Sequence, residues 1–299
     1  MAEVRKAPPA EEVRGGCWLF VEGHRTKGLD GLVLKELFAG LPIRVEALGP
    51  SFHVRSAAEA LHPSHPRYYF LIDRDYRYDF NGVRDWEALV ERTWRGFPDP
   101  EQSNLLIWRR RELESYFLLP DYLARSRHLT NCTPDELARR ITDICAGRAY
   151  LDAANLVISV LREELRENWV EHFGSVDGFG SADEALARLL SREEIRSRGA
   201  EVSETLRADR IEMVFRGFMA AMLDGCDRPV VGRGRWLEMV RASKVLPEVV
   251  NSCFRVERLQ GPQRLRAVLK DLLRRDLSEQ PEDFQELYRL MKAQVDKRA

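Results

Sequence analysis

Cysteine is scarce and scattered. Cys17, Cys132, Cys145, Cys226 and Cys253 are odd in number and form no Cys-x-x-Cys pair, which argues against a disulfide framework or a structural zinc site and for buried thiols. Long apolar runs are missing as well: no stretch approaches the ~18 to 20 apolar residues that cross a bilayer. The opening MAEVRKAPPAEEVRGG has no apolar segment of the signal-peptide kind. A cytoplasmic protein with no membrane partner is expected. Neither sign of charge is in excess, with 47 basic and 48 acidic residues, and up to position 122 the counts are 17 and 19. Without a global basic field, any polyanion must be held by local clusters or bound cations. Internal repeats and low-complexity segments are absent, and so is the nucleotide-binding pattern GxxxxGK[ST].

What is present divides at about residue 122. The first part alternates short apolar runs with helical spacing. Cys17 to Val21 reads as a buried strand, and Leu29, Leu32, Val33 and Leu37 follow at helical intervals. Ile43 to Leu48 reads as a second strand, Val54 to Leu61 as a short helix, Tyr68 to Ile72 as a third strand, Val83 to Val90 as an amphipathic helix, and Asn104 to Trp108 as a fourth strand. Strands separated by helical crossovers imply an α/β fold with a parallel sheet. Beyond Pro120 the pattern is helical. Thr133-Pro134-Asp135-Glu136 carries an N-cap, a first-turn proline and a reciprocating glutamate. Leu151, Ala154, Ile158, Leu161, Leu165 and Trp169 form an apolar stripe, and further helices are expected at about 182–197, 204–223, 235–250, 262–276 and 282–297. The expected organisation is a flexible segment over 1–15, an α/β domain over 16–122 and a mainly α-helical region over 123–299 for partner contact or self-association.

Glu22 follows directly on the first strand, and Asp73 and Asp75 follow on the third. In a parallel sheet the carboxyl ends of the strands share one edge, where such folds place their sites. Asp73 and Asp75, two apart in extended chain, point the same way while Arg74 points elsewhere. Carboxylate oxygens in this number suit Mg²⁺, which takes one or two carboxylates and completes its octahedron with water and phosphate. A single carboxylate after a strand is more often a turn residue. Two strands ending in Val-Glu-Gly and Ile-Asp-Arg-Asp favour a site.

Val21-Glu22-Gly23 and Asp73-Arg74-Asp75 resemble the E and DxD motifs of the Toprim domain shared by topoisomerases, primases and OLD-type nucleases. Arg111-Glu112-Leu113-Glu114-Ser115-Tyr116-Phe117-Leu118 is similar to an E-x-Y-L segment of OLD-like Toprim proteins. The resemblance implies an N-terminal Toprim-like sheet and a Mg²⁺- or Mn²⁺-dependent endonuclease. It implies metal ligation and catalysis by Glu22, Asp73 and Asp75, with Glu114 as a fourth carboxylate and Glu22 as general acid or base. Many members carry an aspartate four residues after the glutamate, where this chain has Thr26; Lys27 or His24 would compensate by contacting phosphate, although an exposed loop lysine is commonly just solvated. Arg109, Arg110 and Arg111, just beyond the fourth strand, fall near the same edge as phosphate-gripping candidates or as a solvated triplet paired with Glu112 and Glu114.

Standalone Toprim proteins of this size with a helical second half are similar to effector subunits of the PARIS anti-phage system. That similarity implies a toxic nuclease of abortive infection, with tRNA as target, an ABC-type ATPase acting in trans and self-association into a homo-oligomer. The alternatives are a DNA-cleaving OLD-like nuclease and a catalytically degenerate Toprim module that serves interaction or regulation.

Overall fold

The computed structural model describes residues 16–23, 28–74, 86–98, 103–130, 132–167 and 193–297, with positions 183, 186, 187 and 191. Four parallel strands form one sheet: β1 (Cys17–Glu22), β2 (Ile43–Gly49), β3 (Tyr68–Ile72) and β4 (Leu105–Ile107), in the order β2-β1-β3-β4. The central strands β1 and β3 are unbroken apolar runs because both of their faces are covered. Trp18 and Phe20 pair in register with Tyr68 and Phe70, and their rings form a row with Phe20 5.4 Å from Phe70 and 5.1 Å from Tyr68. On the edge strand β2 the pattern relaxes, and the exposed Arg44 lies over the Trp18 ring at 4.3 Å.

The crossovers are made by α1 (Asp30–Leu37), α2 (Ser51–Leu61) and α3 (Trp86–Arg95). From β1 the chain steps outward to β2, then crosses back over β1 to β3 and on to β4. This reversal makes the crevice between β1 and β3 the topological switch point, where open α/β sheets bind ligands.

Past β4 a 3-10 segment (Leu113–Leu118) leads into α4 (Pro120–Leu123), α5 (Pro134–Ala146), α6 (Ala149–Glu167), α7 (Glu193–Thr205) and α8 (Ala208–Leu223). The last helices are α9 (Trp236–Met239), α10 (Ala242–Cys253), α11 (Gly261–Leu273) and α12 (Glu282–Asp296). The fold is therefore α/β, with helices dominating the second part, as the apolar patterning indicates. The capping box at Thr133 is formed, with the Thr133 N–H donating to Glu136 Oε2 at 2.7 Å and the Glu136 N–H to Thr133 Oγ1 at 3.3 Å.

Two helical expectations are corrected. The stripe on α6 is only partly the buried face: Leu161 packs against the core, but Leu151 and Ile158 are 54% and 51% exposed, and Ala153, Leu156, Val157 and Val160 are the buried residues. The single helix expected over 235–250 is two, α9 and α10, with Val240 extended between them. Tertiary carboxylates supply the reason, since the orphan N–H groups at the start of α10 are taken by distant side chains. The Arg241 N–H donates to Asp152 Oδ2 at 3.1 Å and the Ser243 N–H to Glu112 Oε2 at 2.7 Å.

The helices close onto the sheet through α12. Phe284, with no exposed surface, packs against Trp108, Tyr116 and Phe117 at ring separations of 5.6, 5.1 and 5.7 Å. Among the described residues, no single helix is long and apolar enough to cross a membrane.

Candidate active site

Glu22 ends β1 and Asp73 stands one residue past β3, on adjacent strands of the switch point. The Asp73 N–H donates to Glu22 Oε1 at 2.9 Å, and the Leu113 N–H donates to Asp73 Oδ1 at 3.2 Å. Each carboxylate thus has one oxygen set by a backbone donor, the kind of outer support that orients metal-ligating carboxylates. Gly23 turns the chain immediately after Glu22 with φ +102, a conformation that glycine adopts without strain, and its N–H reaches Gly49 O at 2.9 Å.

Glu114 lies in the 3-10 segment that follows β4, one residue beyond the backbone donor to Asp73. Burial pushes its carboxyl group up to about 8, and the negative charges of Asp30 and Glu112 push in the same direction. Asp30, in the first turn of α1, is the residue that sequence reasoning missed. Its Oδ2 lies 3.7 Å from where a Cβ on Gly23 would stand, which places its carboxylate next to the residue following Glu22. A signal existed: the helix after β1 has to begin at the carboxyl edge of the sheet, so an acidic residue in its first turn is a neighbour of Glu22. Read alone, Asp30 passes for an ordinary helix-start acid.

The arginine triplet separates into three fates. Arg111 is fully buried, its Nη1 donating to Met239 O and lying 3.7 Å from Asp152 Oδ1, so the expectation that it contacts nucleic acid is corrected: its charge is spent inside the protein. Arg109 is also committed internally, to Glu91 at 2.7 Å, Asp283 at 2.8 Å and Glu286 at 2.6 Å. Arg110 is half-buried over the Tyr116 ring at 5.2 Å and, of the three, is the one that pairs with no carboxylate among the described residues. Arg74 is buried, with Nη1 donating to Arg109 O at 3.1 Å just beyond β4. A groove of about 300 Å³ beside the edge is lined by Arg74, Glu87, Arg109, Arg110, Arg235 and Asp283, among others.

Asp75 and Lys27 lie outside the described residues, as do His24, Thr26 and positions 1–15. Among the described residues, no three carboxylate, histidine or cysteine side chains are gathered closely enough to share one metal ion. Glu22 and Asp73 nevertheless match an ion that needs only one or two protein carboxylates. Both donors are oxygens, the ligand type that such an ion takes. No protein-family model and no curated protein sequence matches this chain.

Proposed function

We propose that the carboxyl edge of the sheet is a Toprim-type phosphodiester-cleaving site that works with Mg²⁺ or Mn²⁺. The observation that carries this reading is the juxtaposition of Glu22 and Asp73, joined at 2.9 Å across the β1–β3 switch point with Asp73 tied in turn to the segment bearing Glu114. The similarity of Val21-Glu22-Gly23 and Asp73-Arg74-Asp75 to the Toprim motifs supports it independently.

A nucleic-acid backbone beside these carboxylates is repelled unless a cation intervenes. When bound, a divalent ion supplies charge neutralisation and Lewis acidity toward a phosphoryl oxygen. Asp73 holds the ion, with Asp30 and Glu114 as the further described carboxylates near the edge and Asp75 as the one that the motif similarity adds. Glu22 takes the proton of the attacking water as its oxygen bonds to phosphorus, and the bond from phosphorus to the departing oxygen breaks with its electron pair. Arg110 contacts a substrate phosphate.

The narrower reading is a toxic effector of anti-phage abortive infection that cleaves tRNA and is restrained by an ABC-type ATPase in trans. One feature supports it, the similarity to standalone Toprim effectors. An interaction module is the second reading, favoured by the backbone donors that occupy one oxygen each of Glu22 and Asp73. Incubating the purified protein with tRNA, other RNA and plasmid DNA in Mg²⁺ decides between them. Cleavage lost in Glu22→Ala and Asp73→Ala supports the enzyme, whereas inert wild-type protein supports the module.

A further inference from the structure

The C-terminal helix α12 reaches the same edge from about 170 residues away. Asp283, in its first turn, accepts the Tyr116 hydroxyl at 2.5 Å through Oδ2 and Arg109 Nη1 at 2.8 Å through Oδ1. The Tyr116 hydroxyl in turn accepts the Arg110 N–H at 3.3 Å. Tyr116 is buried where its hydroxyl meets Asp283. The next residue of α12, Phe284, closes over Tyr116 and Phe117. One helix end therefore grips both sides of the segment that donates Leu113 N–H to Asp73 and carries Glu114.

We propose that Asp283 is a positioning residue, which holds the Arg110–Leu118 segment, and through it Asp73 and Glu114, in place against β1 and β3. A 3-10 segment has weak internal hydrogen bonding and does not fix its own placement. Of its side chains, Tyr116 ties it to α12 by a directed polar bond, while the apolar contacts of Phe117 and Phe284 tolerate small slides. Arg109 supplies the second point: with Glu91 on α3 and Asp283 on α12 both bound to one guanidinium, the exit of β4 is fixed relative to the helix that grips Tyr116. An error of about 1 Å in such placement is enough to impair a site that must converge on one ion or one phosphorus.

This inference rests on the reading of the edge as a divalent-metal site, and Mn²⁺ binding to the full chain, followed by calorimetry without substrate, tests both. Asp283→Ala is expected to weaken Mn²⁺ about tenfold, the low end for outer supports of metal ligands. Tyr116→Phe should do the same, and the double variant should be no worse than the stronger single one, as members of one linkage behave. Asp283→Asn, which retains an acceptor for the Tyr116 hydroxyl, should recover most of the affinity. Val268→Ala, a fully buried truncation in α11, serves as the stability control. It should lower the melting temperature and leave Mn²⁺ affinity at the wild-type value. Wild-type affinity in Asp283→Ala, or an equal loss in Val268→Ala, overturns the positioning role. If Glu22→Ala and Asp73→Ala bind Mn²⁺ as the wild type does, the metal site itself is wrong and Asp283 has nothing to position.

Discussion

Glu22 Oε1 accepts the backbone N–H of Asp73 at 2.9 Å, so the end of β1 and the exit of β3 are fastened by a carboxylate and not only by the sheet ladder. A glutamine at position 22 could accept that N–H but could not take a proton. Glu22→Gln is therefore expected to melt within a few degrees of wild type while cleavage falls by at least about 10²-fold, the lower range for loss of a general base. Glu22→Ala should be as inactive and lose about 1 kcal/mol with the hydrogen bond, partly offset by relief of repulsion among the acidic groups. Melting curves and initial rates on the same preparations check both.

The raised Glu114 carboxyl makes a pH prediction with a definite sign. Its value in the folded protein is about 8 against 4.5 for an ordinary glutamate, with burial the largest cause. Between those values the folded state binds the extra proton, so apo stability falls as pH rises from about 4.5 to 8. Glu114→Gln should flatten that part of the stability-versus-pH curve and raise the melting temperature above pH 8. A divalent ion must displace the same proton if Glu114 joins the site, so Mn²⁺ affinity should increase through pH 7 to 9 and lose that dependence in Glu114→Gln. Parallel slopes in the two proteins would place Glu114 outside the site.

Arg110 and Arg111 are neighbours in sequence with opposite expected phenotypes. Removing a phosphate contact lowers the log–log salt dependence of nucleic-acid binding by about 0.7 to 0.9, and Arg110→Ala should show that reduction with little loss of stability. Asp152→Ala strips Arg111 of its buried partner and should cost about 3 to 5 kcal/mol in urea unfolding, with the salt slope of the folded fraction unchanged. If Arg110→Ala leaves the slope at the wild-type value, Arg110 makes no phosphate contact.

What could be read in the chain followed from how local each cause is. Cys17–Val21 and Tyr68–Ile72 announce themselves because a strand covered on both faces has to be apolar at every position. Thr133 and Glu136 announce α5 because a capping box is complete within four residues. In α6 more than one face is apolar, so periodicity could not choose between Leu151–Ile158 and Leu156–Val160. The choice is made by Asp152, drawn inside by Arg111 and the Arg241 N–H from segments far along the chain. The break at Val240 and the separate fates of Arg109, Arg110 and Arg111 have the same origin in remote partners. At the site, Glu22 and Asp73 were legible from strand ends alone. Asp30 was not, because only the return of α1 to the same edge makes it a neighbour.

The most direct test is cleavage of tRNA and plasmid DNA by the purified protein after exhaustive chelation, with Mg²⁺, Mn²⁺ or Ca²⁺ then restored separately. No cleavage is expected after chelation, with recovery in Mg²⁺ or Mn²⁺ and poor recovery in Ca²⁺, whose looser geometry and weaker acidification of water suit the chemistry less. Asp73→Ala should not recover with any ion. Cleavage that persists at the full rate in chelator, or that Asp73→Ala retains, contradicts the proposed metal site.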